Sequence, residues 1–216
     1  MLVDLIANIT LLINIGVAFW FYKRLSPRWL QFFAWFLVLT LLAQAAGSVY
    51  SHFTGKSNHF IFNLYIGVEF LVYYFIFFRA FENKRMKYLT GALAIIFIVF
   101  YTFNVFFIKG LFIFNTAAYT FGSITVIVIC LLYFGHLFLS EEPINYFRMP
   151  LFWMATGLLF YYVGESVYMS LLDYIVKNKI DEDGHLYTII IVILNLLLYA
   201  LISIGFLSNR PWQKTT

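Results

Sequence analysis

Two glutamates, Glu69 and Glu165, lie in the middle of apolar runs long enough to cross a bilayer. A carboxylate at mid-bilayer costs roughly 2.5–3.5 kcal/mol on insertion scales, so such residues turn toward a cavity or a partner and often mark function. The chemistry open to a buried carboxyl is narrow: it takes up a proton or it binds a cation. Tyrosines stand at helical spacing around both. Tyr65 and Tyr73 flank Glu69 one turn to either side, and Tyr161, Tyr162 and Tyr168 bracket Glu165. A tyrosine hydroxyl beside a buried carboxyl donates to it and helps set its protonation.

Two amides extend this set. With a rise of about 1.5 Å per residue, Glu69 lies roughly 13–14 Å from the outer end of its run and Glu165 roughly 15 Å. Asn195 is at about 13–14 Å and Gln44 at about 10 Å. Tyr199 follows Asn195, and Thr40 and Ser48 bracket Gln44. The spacing therefore predicts a ligand-binding layer outside the midplane, made of Glu69, Glu165, Gln44 and Asn195 with Tyr65, Tyr73, Tyr161, Tyr168 and Tyr199 as walls. Acceptors, donors and aromatic faces together suit a small polar, cationic or amphipathic molecule. A structural alternative stands beside this one: polar side chains also clasp transmembrane helices together, at about 0.6–2 kcal/mol each. It fits the two amides better than the glutamates, because a structural contact can use a residue that is less costly to bury.

The elements that must position this layer follow from composition. The chain has 216 residues, of which 63% are hydrophobic and 11% charged. A soluble domain is nearer a quarter charged, so the expectation is an all-α integral membrane protein in contact with the lipid bilayer, with no separate soluble domain. Spans need about 20 apolar residues. The qualifying stretches are 2–22, 30–51, 60–80, 88–108, 111–138, 150–175 and 186–208, a seven-helix bundle in a single domain. The start, Met-Leu-Val-Asp, lacks a basic leader, which points to an uncleaved first helix acting as its own signal-anchor. Prolines fall only at 27, 143, 150 and 211, at or beyond span ends, so the helices should run unbroken.

Basic residues set the orientation. Lys23, Arg24, Arg28, Arg79, Lys84, Arg85, Lys87, Arg148, Arg210 and Lys214 collect at one set of span ends, while Lys56, Lys109, Lys177 and Lys179 lie at the other. The richer side is expected to be cytoplasmic, with the N-terminus outside and the C-terminus inside. These clusters are topology anchors, so the net charge of +4 carries no nucleic-acid signal. Compact loops suggest a bacterial inner membrane.

Spans two and six align without gaps: Trp35 falls on Trp153, Leu41 on Leu159, and Ser48-Val49-Tyr50 on Ser166-Val167-Tyr168. In spans three and seven, His59 falls on His185, Glu69 on Asn195 and Tyr73 on Tyr199. The order matches a parallel three-plus-one-plus-three duplication, with repeats 1–80 and 111–208 and a linker helix 88–108. The register offsets differ among pairs, and a low-complexity apolar alphabet supplies part of the matching. In layout alone the chain resembles the sugar-transporting SWEET proteins, the vitamin-precursor carriers and the microbial rhodopsins. It lacks the prolines that SWEET-type repeats place within their helices, and span seven has no lysine to hold a retinal, so no functional residue carries over from either.

Other chemistries find little support. The single cysteine, Cys130, lies in an apolar run, and no HxxxH or HExxH spacing occurs, so neither a disulfide nor a metal site is expected. His136 reads as interfacial, and the Asp181-Glu182-Asp183 run as a solvated loop. No nucleophile–base arrangement or nucleotide loop is present, so the chain is not expected to be an enzyme or to hold a cofactor. The favoured expectation is a small carrier coupled to protons through one glutamate, with short loops and no output domain in its favour. The alternative is a receptor-like sensor that binds a ligand in the same pocket and signals through a separate protein partner.

Overall fold

A computed structural model describes residues 2–139, 145–181 and 184–208. Glu182, Asp183, Arg210 and Lys214 lie outside the described residues. Within them the chain forms seven long α-helices and no strand: α1 (Leu2–Trp20), α2 (Arg28–Thr54), α3 (His59–Ala80), α4 (Lys84–Phe103), α5 (Thr116–Phe138), α6 (Pro150–Lys177) and α7 (His185–Ser208). A single π-turn, Asn104–Ile108, continues α4. Five helices are long and apolar enough to cross a membrane: α2, α3, α4 through its π-turn, α5 and α7. α1 contributes a shorter apolar stretch, Asn8–Trp20. One face of α4 carries Ile95, Val99 and Phe103 at four-residue spacing, each more than half exposed. A soluble surface rarely tolerates such a row, whereas lipid accommodates it. The protein is an integral membrane protein.

The helices match the apolar runs except between the fourth and fifth. The run from Leu111 predicts a helix there, yet α5 begins at Thr116. The reason is polar. The Asn115 side chain accepts a hydrogen bond from the Ala118 amide at 3.1 Å, satisfying a donor of the first helical turn. Gly110, with φ of +77°, turns the chain out of the π-segment. Residues 111–114 are apolar but not helical, a distinction that hydrophobicity cannot make.

The chain divides into two compact units, one of Met1–Leu37 with Cys130–Thr216 and one of Val38–Ile129. In the first unit α7 packs against both α6 and α1. Glycines permit the close approach of α6 and α7. A Cβ at Gly164 would lie 2.7 Å from the Leu194 side chain, and one at Gly205 would lie 2.9 Å from the Pro150 carbonyl oxygen. On α1, the fully buried Asn14 donates to the Tyr199 carbonyl and, at 3.1 Å, to the Ser203 hydroxyl. The core of this unit includes Leu11, Phe33, Met154, Leu158, Tyr162, Ile202 and Phe206.

In the second unit an aromatic cluster forms the core. Phe70 is fully buried, its ring 5.2 Å from Phe97 and 5.8 Å from Tyr119. It also fills the space above Gly122, where a Cβ would come within 2.5 Å of the ring. Tyr74 and Thr125 share a buried hydroxyl–hydroxyl hydrogen bond between α3 and α5. Asn63 holds the non-helical segment before α5. Its amide nitrogen donates to the Leu111 and Ile113 carbonyls at 2.7 and 2.8 Å, and its oxygen accepts from the Asn115 amide at 3.0 Å.

Candidate functional site

The nine residues expected to bind a ligand fall in two groups by unit. Gln44, Tyr65, Glu69 and Tyr73 belong to the second, and Tyr161, Glu165, Tyr168, Asn195 and Tyr199 to the first.

In the second unit, Glu69 is half-buried on α3 and accepts a 3.1 Å hydrogen bond from the Tyr73 hydroxyl one turn on. This is the local pairing that the i, i+4 spacing predicts, because residues four apart on a helix lie one above the other. Tyr65, one turn before, shares a 2.9 Å hydroxyl–hydroxyl hydrogen bond with Thr40 of α2. Gln44, one turn beyond Thr40, is half-buried. The tyrosines on either side of Glu69 therefore point to different partners, one to the carboxylate and one to the neighbouring helix.

In the first unit, Glu165 is 3% exposed. The fully buried Tyr162 and the buried Tyr168 sit one turn before and after it on α6, and the Tyr161 ring meets Tyr162 edge-on at 5.1 Å. Tyr199 is buried, with its carbonyl facing Asn14, and Asn195 one turn earlier is half-buried. No lysine, arginine or histidine occurs in residues 2–20, 150–176 or 186–208, which make up nearly all of α1, α6 and α7. A carboxylate at 3% exposure carries a desolvation cost that protonation or an opposite charge offsets.

Two residues that the spacing argument passes over complete the surroundings of Glu165. Tyr187, in the first turn of α7, lies close enough for the Glu165 carboxylate to act on its hydroxyl electrostatically, and its ring centroid is 4.9 Å from that of Tyr168. Asp181, before α7, accepts the Tyr168 hydroxyl at 3.0 Å on one oxygen. The same oxygen accepts the Tyr187 amide at 2.9 Å, and the other accepts the Leu186 amide at 2.9 Å. The Tyr187 amide in particular holds the Asp181 carboxyl below the usual carboxylate range, with help from the Leu186 amide, the Tyr168 hydroxyl and nearby His185. In the sequence Asp181 looks like part of a solvated acidic loop, and only its place just ahead of a helix start hints at this use.

Cys130 is a free thiol, fully buried in α5. His136 is exposed near the end of α5. Among the described residues no cluster of His, Cys, Asp and Glu has the makings of a metal site.

Comparison with models of protein families, with curated proteins and with solved structures finds no match, so the functional reading rests on these residues themselves.

Proposed function

We propose that the chain is a small membrane carrier of seven spans, N-terminus outside and C-terminus cytoplasmic, that binds a cationic or amphipathic solute and exchanges it for a proton at a buried glutamate. Residence in a bacterial inner membrane belongs to the same reading. The observation that carries it is Glu165, a carboxylate with 3% exposure, bracketed by tyrosines and set in a stretch of α6, residues 150–176, that holds no lysine, arginine or histidine. A carboxyl kept out of water is stable in two forms, protonated or paired with a cation, and alternation between them is the elementary step of proton-coupled exchange. The aromatic faces of Tyr162, Tyr168 and Tyr187 favour an ammonium group over a strongly hydrated inorganic ion. Glu69, paired with Tyr73 on α3, is a second protonatable group in the same reading. Binding without transport, with the signal passed to a partner protein, remains the alternative that flux measurement separates.

The test uses thermal unfolding of the purified full chain with a panel of primary, tertiary and quaternary alkylammonium compounds, with alkyl carboxylates as controls. The expected result is stabilisation by at least one class of ammonium, lost in Glu165→Gln and retained in a variant at an exposed site such as Lys56→Gln. Equal stabilisation of the wild-type and Glu165→Gln proteins by every compound would remove Glu165 from the site.

A further inference from the structure

One turn beyond Glu165, α6 is tied to the start of α7 by a set of side-chain contacts. Tyr168 lies one turn beyond Glu165 toward the α6–α7 connection and is itself only 7% exposed. Its ring rests on Tyr187 of α7 with centroids 4.9 Å apart. Its hydroxyl is held by Asp181, whose carboxylate is anchored in turn by the backbone amides of Leu186 and Tyr187. One carboxylate thus fixes both the beginning of α7 and the position of the Tyr168 side chain, one turn from Glu165. We propose that Tyr168 and Asp181 form the outer gate of the Glu165 site: their hydrogen bond holds the gate shut, and breaking it admits water and solute to residue 165 from the outer face. Both are positioning residues, since neither needs to touch the solute.

The arrangement has the properties a gate requires. The contact is a single hydrogen bond to a charged acceptor, strong enough to hold one side chain and weak enough to break without unfolding α6 or α7. Its two ends sit on different elements, so separating the α7 start from α6 by a small amount disengages it. The proposed cover is aromatic and amphipathic, with its polar tip on Asp181 and its ring against Tyr187. Gly184, with φ of +66° just before α7, donates its amide to the Asp181 carbonyl at 3.2 Å.

The proposal extends the carrier reading and is tested without any solute. The probe is a membrane-impermeant quaternary-ammonium methanethiosulfonate applied from outside to whole cells or sealed vesicles. The reporter is Glu165→Cys in a full-length chain carrying Cys130→Ala, with Tyr168→Phe or Asp181→Asn added. Tyr168→Phe removes only the hydroxyl and leaves the ring and the α7 start in place. Loss of one hydrogen bond to a charged acceptor is expected to raise the labelling rate about tenfold. Asp181→Asn should raise it to a similar degree, and the double variant should be no faster than the faster single variant, because both changes break the same contact. An unchanged rate in Tyr168→Phe overturns the gate. So does a rise confined to Asp181→Asn, which would trace the effect to the α7 start alone. Ammonium binding to the unlabelled chain stands or falls separately: a gate that responds in a protein that binds no ammonium defeats the carrier reading and leaves the gate in place.

Discussion

Asn63 and Glu165 are both buried polar residues in apolar helices, one in each compact unit, and they differ in what surrounds them. Asn63 is fully buried, and its amide nitrogen and oxygen meet two carbonyls and one amide of residues 111–115. Its own backbone carbonyl accepts the Tyr101 hydroxyl at 2.7 Å. Every one of these partners is fixed in the fold, so the side chain acts as a brace for the segment between α4 and α5. Glu165 is an acidic group at 3% exposure in a stretch of α6, residues 150–176, that has no lysine, arginine or histidine. A brace needs partners that stay, whereas an exchange site needs a group that changes its partner. We propose that Asn63 is of the first kind and Glu165 of the second, although both read in the sequence as one polar letter in a greasy run.

That contrast breaks most sharply at Asn63 itself. Asn63→Ala strands two carbonyls and an amide in an apolar setting, and a loss of roughly 3–5 kcal/mol is expected in reversible unfolding in mixed micelles. A loss below about 1 kcal/mol would mean that water reaches the segment and that the brace is dispensable. Next in size is Gly122→Ala, which pushes a methyl group into the Phe70 ring held between Phe97 and Tyr119. It should lower stability by about 2 kcal/mol, and Phe70→Leu placed on top of it should recover part of that loss. If Gly122→Ala alone is silent, the aromatic cluster repacks more freely than its crowding indicates.

The opposite sign distinguishes Glu165. Glu165→Gln keeps the shape and removes the burden of a buried charge, so unfolding stability should stay within about 1 kcal/mol of wild type or rise, while ammonium stabilisation disappears. A large loss of stability would place Glu165 with Asn63 among the braces.

The smallest effect concerns acidity at the gate. Asp181 is held below the ordinary carboxylate range, so its contribution to the folded state is complete above about pH 4 and is lost only as pH falls through its depressed value. Groups acting on it are the Tyr168 hydroxyl from α6, the Leu186 and Tyr187 amides from α7, and His185 at the helix start. The difference in melting temperature between the wild type and Asp181→Asn should therefore stay flat from about pH 7 to 5 and close below about 4. Closure well above pH 4 would instead assign the dependence to a group other than Asp181.

Helix existence was legible in the apolar runs because length and hydrophobicity suffice for it. The start of α5 was not, since Leu111 to Phe114 are as apolar as any helix and only a hydrogen-bond pattern reaching back to Asn63 keeps them out of it. The pairing of Tyr73 with Glu69 followed from spacing on one helix. The engagement of Tyr168 with Asp181 did not, because it depends on how a connection folds back over a helix start, and thirteen residues of separation carry no periodic signal. Asn63 escaped notice for a similar reason: a single asparagine near a span end looks interfacial until its partners are known.

Under the carrier reading we propose, exchange at Glu165 has an electrical side. A unit charge moved across a membrane potential of 100 mV gains or loses about 2.3 kcal/mol. With a proton or a monovalent cation aboard, residue 165 is neutral and its reorientation is blind to voltage. Ionised and empty, it carries a negative charge through whatever part of the field it crosses, and an inside-negative potential drives that charge outward. Voltage then acts on the unloaded step alone, returning the vacant site to the face where a cation waits.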